Sequence, residues 1–133
     1  MAIIRFGVSI ERELLKELDN YTEENQFANR SQAIRHLINN NIIESKWNCN
    51  NIVAGSITLV YEHNKRELVN RLTGLQHDYH DVILSTLHFH LDKNRCMEII
   101  AVRGKADLLT RLADKLIALK GVQHGKLTMS RAD

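Results

Sequence analysis

The stretch from Asp81 to Gly104, "DVILSTLHFHLDKNRCMEIIAVRG", constrains the fold more than any other part of the chain. Two alternating runs flank the polar turn "DKN", which reads as a three-residue hairpin loop. With that loop Leu91 pairs with Arg95, and His90 pairs with Cys96. Residues two apart on a strand share a face. His88 and His90 therefore lie beside Val82, Leu84 and Thr86, while Ile83, Leu87, Phe89 and Leu91 line the other side. The second strand adds Cys96, Glu98, Ile100 and Val102 to the histidine face, and Ile99 and Ala101 to the opposite one. Both faces are apolar, so both sides of the sheet need a cover. Helices of the same chain are expected over Leu87 and Phe89, and a second subunit over the histidine face.

Flanking segments supply those helices. "SITLVYEH" reads as a strand and "NKRELVNRLTGLQHDY" as a helix striped by Leu68, Leu72 and Leu75. "KADLLTRLADKLIALKG" reads as a helix closed by Gly121 as its C′ residue, and "VQHGKLTMS" as a last strand. The order βαββαβ over residues 53–133 predicts a ferredoxin-like domain within an α+β chain. Residues 1–48 follow another pattern. "IIRFGVSI" is β-rich, and "ERELLKELDNYTEEN" and "SQAIRHLINNNIIESKW" are helical. Asn29 or Ser31 suits the N-cap of the second helix, and Asn29 with Gln32 has capping-box spacing. "NCNNIVAG" reads as a linker.

A strand and two helices bury too little to stand alone, and the lone strand leaves both edges unpaired. A second copy repairs both defects, which gives a ribbon-helix-helix dimer. Its two-stranded ribbon fits the DNA major groove. Arg5, Gly7 and Ser9 would then face outward to read bases, with Ile4, Phe6, Val8 and Ile10 turned inward. Backbone amides near Asn29, Arg30 and Ser31 would meet phosphates. Composition gives no such hint: net charge is +2, and residues 1–50 hold six Lys/Arg against seven Asp/Glu. The alternative is a ribbon that only dimerises.

Opposed residues on paired strands have Cβ atoms about 5 Å apart. His90, Cys96 and the diagonal His88 thus bring three metal ligands onto one patch. A polar strand end beside an inert cysteine is the plain alternative. Spacing alone makes zinc the first guess. Cys49, far from any histidine in sequence, is expected to be an ordinary side chain. A fourth ligand is expected from across a subunit interface, with His77 and His80 as candidates. Eleven residues of mostly extended chain, at about 3.3 Å each, set His77 far from its own chain's His88. Two distant cysteines, no signal peptide and no membrane-spanning run point to the cytoplasm. No nucleophile–base pair and no phosphate loop point to an enzyme.

The segments "NRSQAIRHLI", "VYEHNKREL", "LQHDYHD", "TLHFHLDKNRCMEIIAVRG" and "GVQHGKL", in that order, resemble the nickel-responsive transcriptional regulators (NikR) over nearly the whole chain. The resemblance implies a homotetramer, a dimer of dimers, in which two ribbon-helix-helix dimers flank a core of ACT-type domains. It implies one Ni(II) per subunit, held in a square plane by His88, His90 and Cys96 of one chain and His77 of another. Such N/S ligation suits Ni(II) or Cu(II) better than Zn(II). Tyr61, Gln76 and Glu98 would lie near the metal, although Glu98 also suits a solvated rim. Lys65 and Arg66 would touch phosphates of double-stranded operator DNA. The implied outcome is repression of nickel-uptake genes. Two departures stand out: Gly7 replaces a hydroxyl side chain on the reading strand, and Gln32 and His36 replace acidic residues that hold a second cation in some members. His63 and His124 are expected to be structural, and His80 a weak site for excess metal. Rival functions are a metal-independent ribbon-helix-helix repressor with a metabolite-sensing core, and a metal storage or delivery protein.

Overall fold

His90 pairs with Cys96 across an antiparallel hairpin, and the Leu91 N–H donates to the Arg95 carbonyl at 2.9 Å. This register, expected from the loop length, is seen in a computed structural model that describes residues 2–133. The elements are α1 (Arg12–Glu24), α2 (Arg30–Asn48), β1 (Ile52–Glu62), α3 (Arg66–Asp78), β2 (Ile83–His90), β3 (Arg95–Lys105), α4 (Ala106–Ile117) and β4 (Val122–Arg131). A single 3-10 turn, His80–Val82, leads into β2. The chain divides into two compact units, the first running to Asn41 and the second spanning Ile42–Asp133.

The second unit is a four-stranded antiparallel sheet in the order β2-β3-β1-β4, with α3 and α4 on one face. Its core sets Ile57, Leu59, Ile100 and Val102 of the sheet against Leu68 and Leu72 of α3 and Leu109, Leu112 and Leu116 of α4. These helix positions recur at three- and four-residue spacing, the stripe that an amphipathic helix turns toward a sheet. Burying one such leucine contributes about 2 kcal/mol.

The expected cover of the sheet is reversed. Cys96 and Glu98 pair with Tyr61 and Leu59 and share their face, so the histidine face is the one under the helices. Leu87 and Phe89, on the other face, are 53% and 46% exposed. Alternation shows which residues share a face but not which of two apolar faces the helices choose. A bulge also intervenes: the register shifts between Ile83 and Ser85, so Ile83 joins the Val102 face and Leu84 is left 65% exposed. The expected parity holds only from Thr86 onward. The need for a second cover therefore remains, but it applies to the face of Leu87, Phe89 and Ile99.

Helix α4 ends at Ile117, short of the expected stop, and Gly121 sits in the turn to β4 at φ +105. A Cβ there would meet Leu68 Cδ2 at 2.9 Å, so the position favours glycine twice over. The expected linker is shorter and more ordered than its asparagines suggested. Only Cys49, Asn50 and Asn51 separate α2 from β1. The Asp107 N–H donates to Asn50 Oδ1 at 2.9 Å, the Ala106 N–H donates to the Asn51 carbonyl at 3.1 Å, and Trp47 Nε1 donates to the Ser130 carbonyl at 2.8 Å.

In the first unit, residues 2–10 form neither helix nor strand. A lone strand has no ladder partner in its own chain, which is why the β-rich composition does not produce one. Helix α1 buries no residue, and Ala33 is the only buried residue among those described in this unit. An apolar groove of about 490 Å³ runs past Phe6, Val8, Ile10, Leu14, Leu18 and Ile34. Asn29 caps α2, with the Gln32 N–H donating to Asn29 Oδ1 at 2.9 Å, but the return bond of the expected capping box is displaced by one residue: Gln32 Oε1 accepts from the Ala28 N–H, also at 2.9 Å.

Candidate metal centre

β2 is an edge strand, and its last turn of sequence sets His88 and His90 at the open rim of the helix-covered face. Their rings lie 5.6 Å apart, centroid to centroid. Cys96, opposite His90 on the central side, is fully buried, and its thiol donates to the Tyr61 carbonyl at 3.7 Å. Burial raises the Cys96 pKa, helped by the Glu98 charge and opposed by the contact with Tyr61. A cation at this position would reverse that preference and favour the thiolate. As the side chains stand in one chain, no three His, Cys, Asp or Glu among the described residues converge closely enough to hold a metal. The register nevertheless brings the backbones of His90 and Cys96 side by side, with His88 two residues away on the same face. Two imidazoles and a thiol fit a borderline divalent ion such as Ni(II), Cu(II) or Zn(II).

Behind the histidines lies one connected polar chain. Glu98 is 8% exposed, so it is not a solvated rim residue. Its Oε2 accepts from Gln76 Nε2 at 2.9 Å, and its Oε1 accepts from the Tyr61 hydroxyl at 3.4 Å. His88 Nδ1 lies 3.6 Å from Glu98 Oε1, and the Thr86 hydroxyl donates to Gln76 Oε1 at 3.3 Å. A buried carboxylate beside a ligating imidazole fixes its tautomer and raises its basicity. Burial, and then the Glu98 charge, hold the Tyr61 hydroxyl well above its ordinary pKa, so it remains a donor.

His77 lies in the last turn of α3 and is exposed. Its estimated distance from His88 was too large, because α3 folds back over the sheet instead of leading away from it. Gln76, next in sequence, already reaches Thr86 and Glu98. Direction separates His77 from its own chain's site: one residue beyond Gln76, it is turned by about 100° round the helix. His77 stacks on His80 at 5.9 Å, and His80 Nδ1 contacts the His77 carbonyl at 2.9 Å. His63 belongs to the cluster although it was expected to be structural. Its ring meets His90 edge-on at 5.0 Å, and it follows Tyr61 by two residues, the parity that puts it on the same face.

The remaining candidates lie elsewhere. Arg5, Gly7 and Ser9 are exposed, as are Ile4, Phe6, Val8 and Ile10, which were expected to turn inward. In a single copy there is nothing for them to turn toward. Arg30 forms a two-pronged ion pair with Asp19 at 2.7 and 3.0 Å, and Ser31 is exposed. His36 is engaged by the Tyr21 hydroxyl and by the rings of Tyr21 and Phe27, so it is a packing residue of the first unit. Lys65 and Arg66 are exposed at the start of α3, with Lys65 3.7 Å from Glu62. Cys49 is exposed and free. No helix of the described residues is long and apolar enough to cross a membrane.

Taken together, a helix-backed antiparallel sheet with a rim of imidazoles and one buried thiol defines a metal-binding α+β domain, joined to a helical unit that lacks a core. Residues 54–130 match the family model described as the NikR C-terminal nickel-binding domain, and the chain belongs to the nickel-responsive regulator family. It is 51% identical over 129 residues to a protein of Dictyoglomus turgidum, covering 96% of each chain. Against a Pyrococcus furiosus relative it is 47% identical over 131 residues, covering 98% of this chain and 95% of the relative. A Syntrophus aciditrophicus relative is 45% identical over 128 residues, covering 96% and 93%. All three are named as nickel-responsive regulators, not as enzymes. An uncharacterized Thermotoga maritima protein shares the fold at TM-score 0.54 and 19% identity, over 59% of this chain and 96% of its own.

Proposed function

We propose that the protein is a cytoplasmic, nickel-dependent DNA-binding regulator, a homotetramer that represses nickel-uptake genes. Residues 1–48 act as a ribbon-helix-helix DNA-binding domain, and residues 53–133 as an ACT-type domain for metal binding and tetramerisation. The carrying observation is the pairing of His90 with Cys96, with His88 on the same face and backed by buried Glu98. His88, His90 and Cys96 of one subunit would hold one Ni(II) together with His77 of another. When bound, nickel supplies a link between subunits and keeps Cys96 as a thiolate. Glu98 orients His88, while Gln76 ties α3 to Glu98, so the position of His77 depends on the same polar chain. The exposed Leu87 and Phe89 offer the apolar face on which another sheet can dock. Regulation then requires that nickel bind more tightly to the arrangement whose ribbons engage an operator. In the first unit, exposed Phe6, Val8 and Ile10 supply the apolar side of a two-copy ribbon and leave Arg5 and Ser9 for DNA, with Asn29, Arg30, Ser31, Lys65 and Arg66 as phosphate contacts.

Two measurements test this reading. Nickel should raise ultraviolet thiolate charge-transfer absorption that disappears in Cys96→Ala and persists in Cys49→Ala; an unchanged Cys96→Ala spectrum sinks the metal assignment. In gel shifts against DNA upstream of the gene, retention should depend on nickel. Arg5→Ala should weaken it by about 1–3 kcal/mol without altering nickel affinity. Equal retention by mutant and parent would leave the ribbon as a dimerisation device only.

A further inference from the structure

The turn that carries His77 is exposed, yet it is tied down on both sides. His77, Asp78 and His80 are exposed, while Gln76 and Tyr79 are half-buried. The last turn of a helix frays readily, because its final carbonyls have no partner further along the helix. The C-cap of α3 is Tyr79 at φ −112, so the helix ends without the left-handed residue that seals many others. Gln76 holds the inner side of the turn through Glu98. Tyr79 holds the outer side. Its ring packs against the core, and its hydroxyl accepts from Lys115 Nζ of α4 at 3.0 Å, with the ammonium 5.3 Å from the ring centroid. Tyr79 also bridges the way to the strand of His88 and His90. Its N–H donates to the Leu75 carbonyl at 3.2 Å, within α3. Its carbonyl accepts from the Val82 N–H at 3.0 Å, in the 3-10 turn that leads into β2.

We propose that Lys115 and Tyr79 are positioning residues for nickel binding: their contact clasps the last turn of α3 to α4 and holds His77 ready before any metal arrives. The proposal rests on the reading of His77 as the fourth ligand, given to a site on another subunit. Lys115 and Tyr79 act through His77 and do not touch the metal. A turn already ordered in the metal-free protein has less freedom to lose when His77 is captured, so less ordering opposes coordination. Without the clasp, nickel affinity falls in proportion to the fraction of chains whose turn is formed. Gln76 and Lys115 grip the turn from two different elements, β3 and α4, so the loss of either leaves His77 on a turn held at one side only.

The test uses the full-length protein. Lys115→Met keeps the stem of the side chain and removes the ammonium. In the metal-free state, hydrogen exchange at the amides of Gln76 to Tyr79 should quicken by about threefold to tenfold, while the core of the sheet exchanges as in the parent. Nickel affinity, by chelator competition, should fall by a similar factor, and Lys115→Arg, which keeps the charge and the donors, should restore both. Tyr79→Phe keeps the ring, removes the hydroxyl and is held to the same outcomes. Parent-like exchange or parent-like nickel affinity in Lys115→Met overturns the proposal. His77→Ala separates the two levels of inference. In a His77→Ala chain, Lys115→Met should cause no further loss of the residual nickel binding, because the ligand it positions is gone. An undiminished further loss would make Lys115 a general stabiliser and overturn the proposal. If His77→Ala alone binds nickel as the parent does, the reading of His77 as a ligand falls, and the clasp with it. If His77→Ala loses tight nickel while Lys115→Met keeps it, only the clasp fails.

Discussion

Glu98 shows how much one side chain in this fold is asked to do. It is a buried carboxylate whose two oxygens serve Tyr61 and Gln76, with His88 Nδ1 at 3.6 Å. Glu98→Gln keeps the shape and removes the charge that makes His88 a better ligand. Nickel affinity, measured by competition with a chelator, should fall by about tenfold to a hundredfold with the fold intact. An affinity equal to the parent's would mean that Glu98 is only a packing group. The sequence placed Glu98 on the ligand face but could not decide between centre and rim, because alternation carries no information on depth. His63 was legible by the same parity with Tyr61. Its role was missed because the expected strand ends on it but no short stretch of sequence shows that this strand pairs with β3, which is what brings His63 beside His90.

At the scale of elements, the β2–β3 hairpin is the part most fully written in the sequence. "DKN" sets a three-residue loop, and the loop sets the pairing of His90 with Cys96. Asp92 explains why the loop holds: its Oδ1 accepts from the N–H groups of Asn94 at 2.9 Å and Arg95 at 2.7 Å, and its Oδ2 takes both prongs of the Arg95 guanidinium. These bonds, led by the backbone N–H of Arg95, pull the Asp92 pKa down to about 2. A carboxyl depressed in the fold adds stability above its ordinary pKa and loses it as the pH falls through about 2. The carboxyl carbon of Asp92, followed by NMR, should titrate near 2, and the hairpin amide shifts should change with it. A midpoint near 4 would show that the turn does not depend on the charge. Less legible were the choice of face by the helices and the bulge at Leu84. Both depend on how whole layers pack, which no short window of sequence reports.

At the scale of the molecule, two apolar surfaces stand open in a single chain: the groove beside Phe6 and Val8, and the sheet face of Leu87 and Phe89. Their presence was readable from the mismatch between apolar residues and available cover. What covers them was not, because an oligomer's partner surfaces lie outside any one chain's contacts. A mixing experiment addresses the proposed shared site. His77→Ala and His90→Ala chains should each lack tight nickel sites, for different reasons. Co-refolded, they should regain a fraction of them, since the intact His88, His90 and Cys96 of one chain can combine with the intact His77 of the other. If mixed oligomers are confirmed by mass and no tight site returns, sharing between subunits is refuted. The short connection after α2 has a practical consequence of its own. A run of asparagines invites the insertion of a tag or reporter, as an exposed connector usually tolerates. Here Asn50 and Asn51 bond to the first residues of α4, and Trp47 is tied to Ser130. Added residues at this junction would unseat the start of one helix and the end of another.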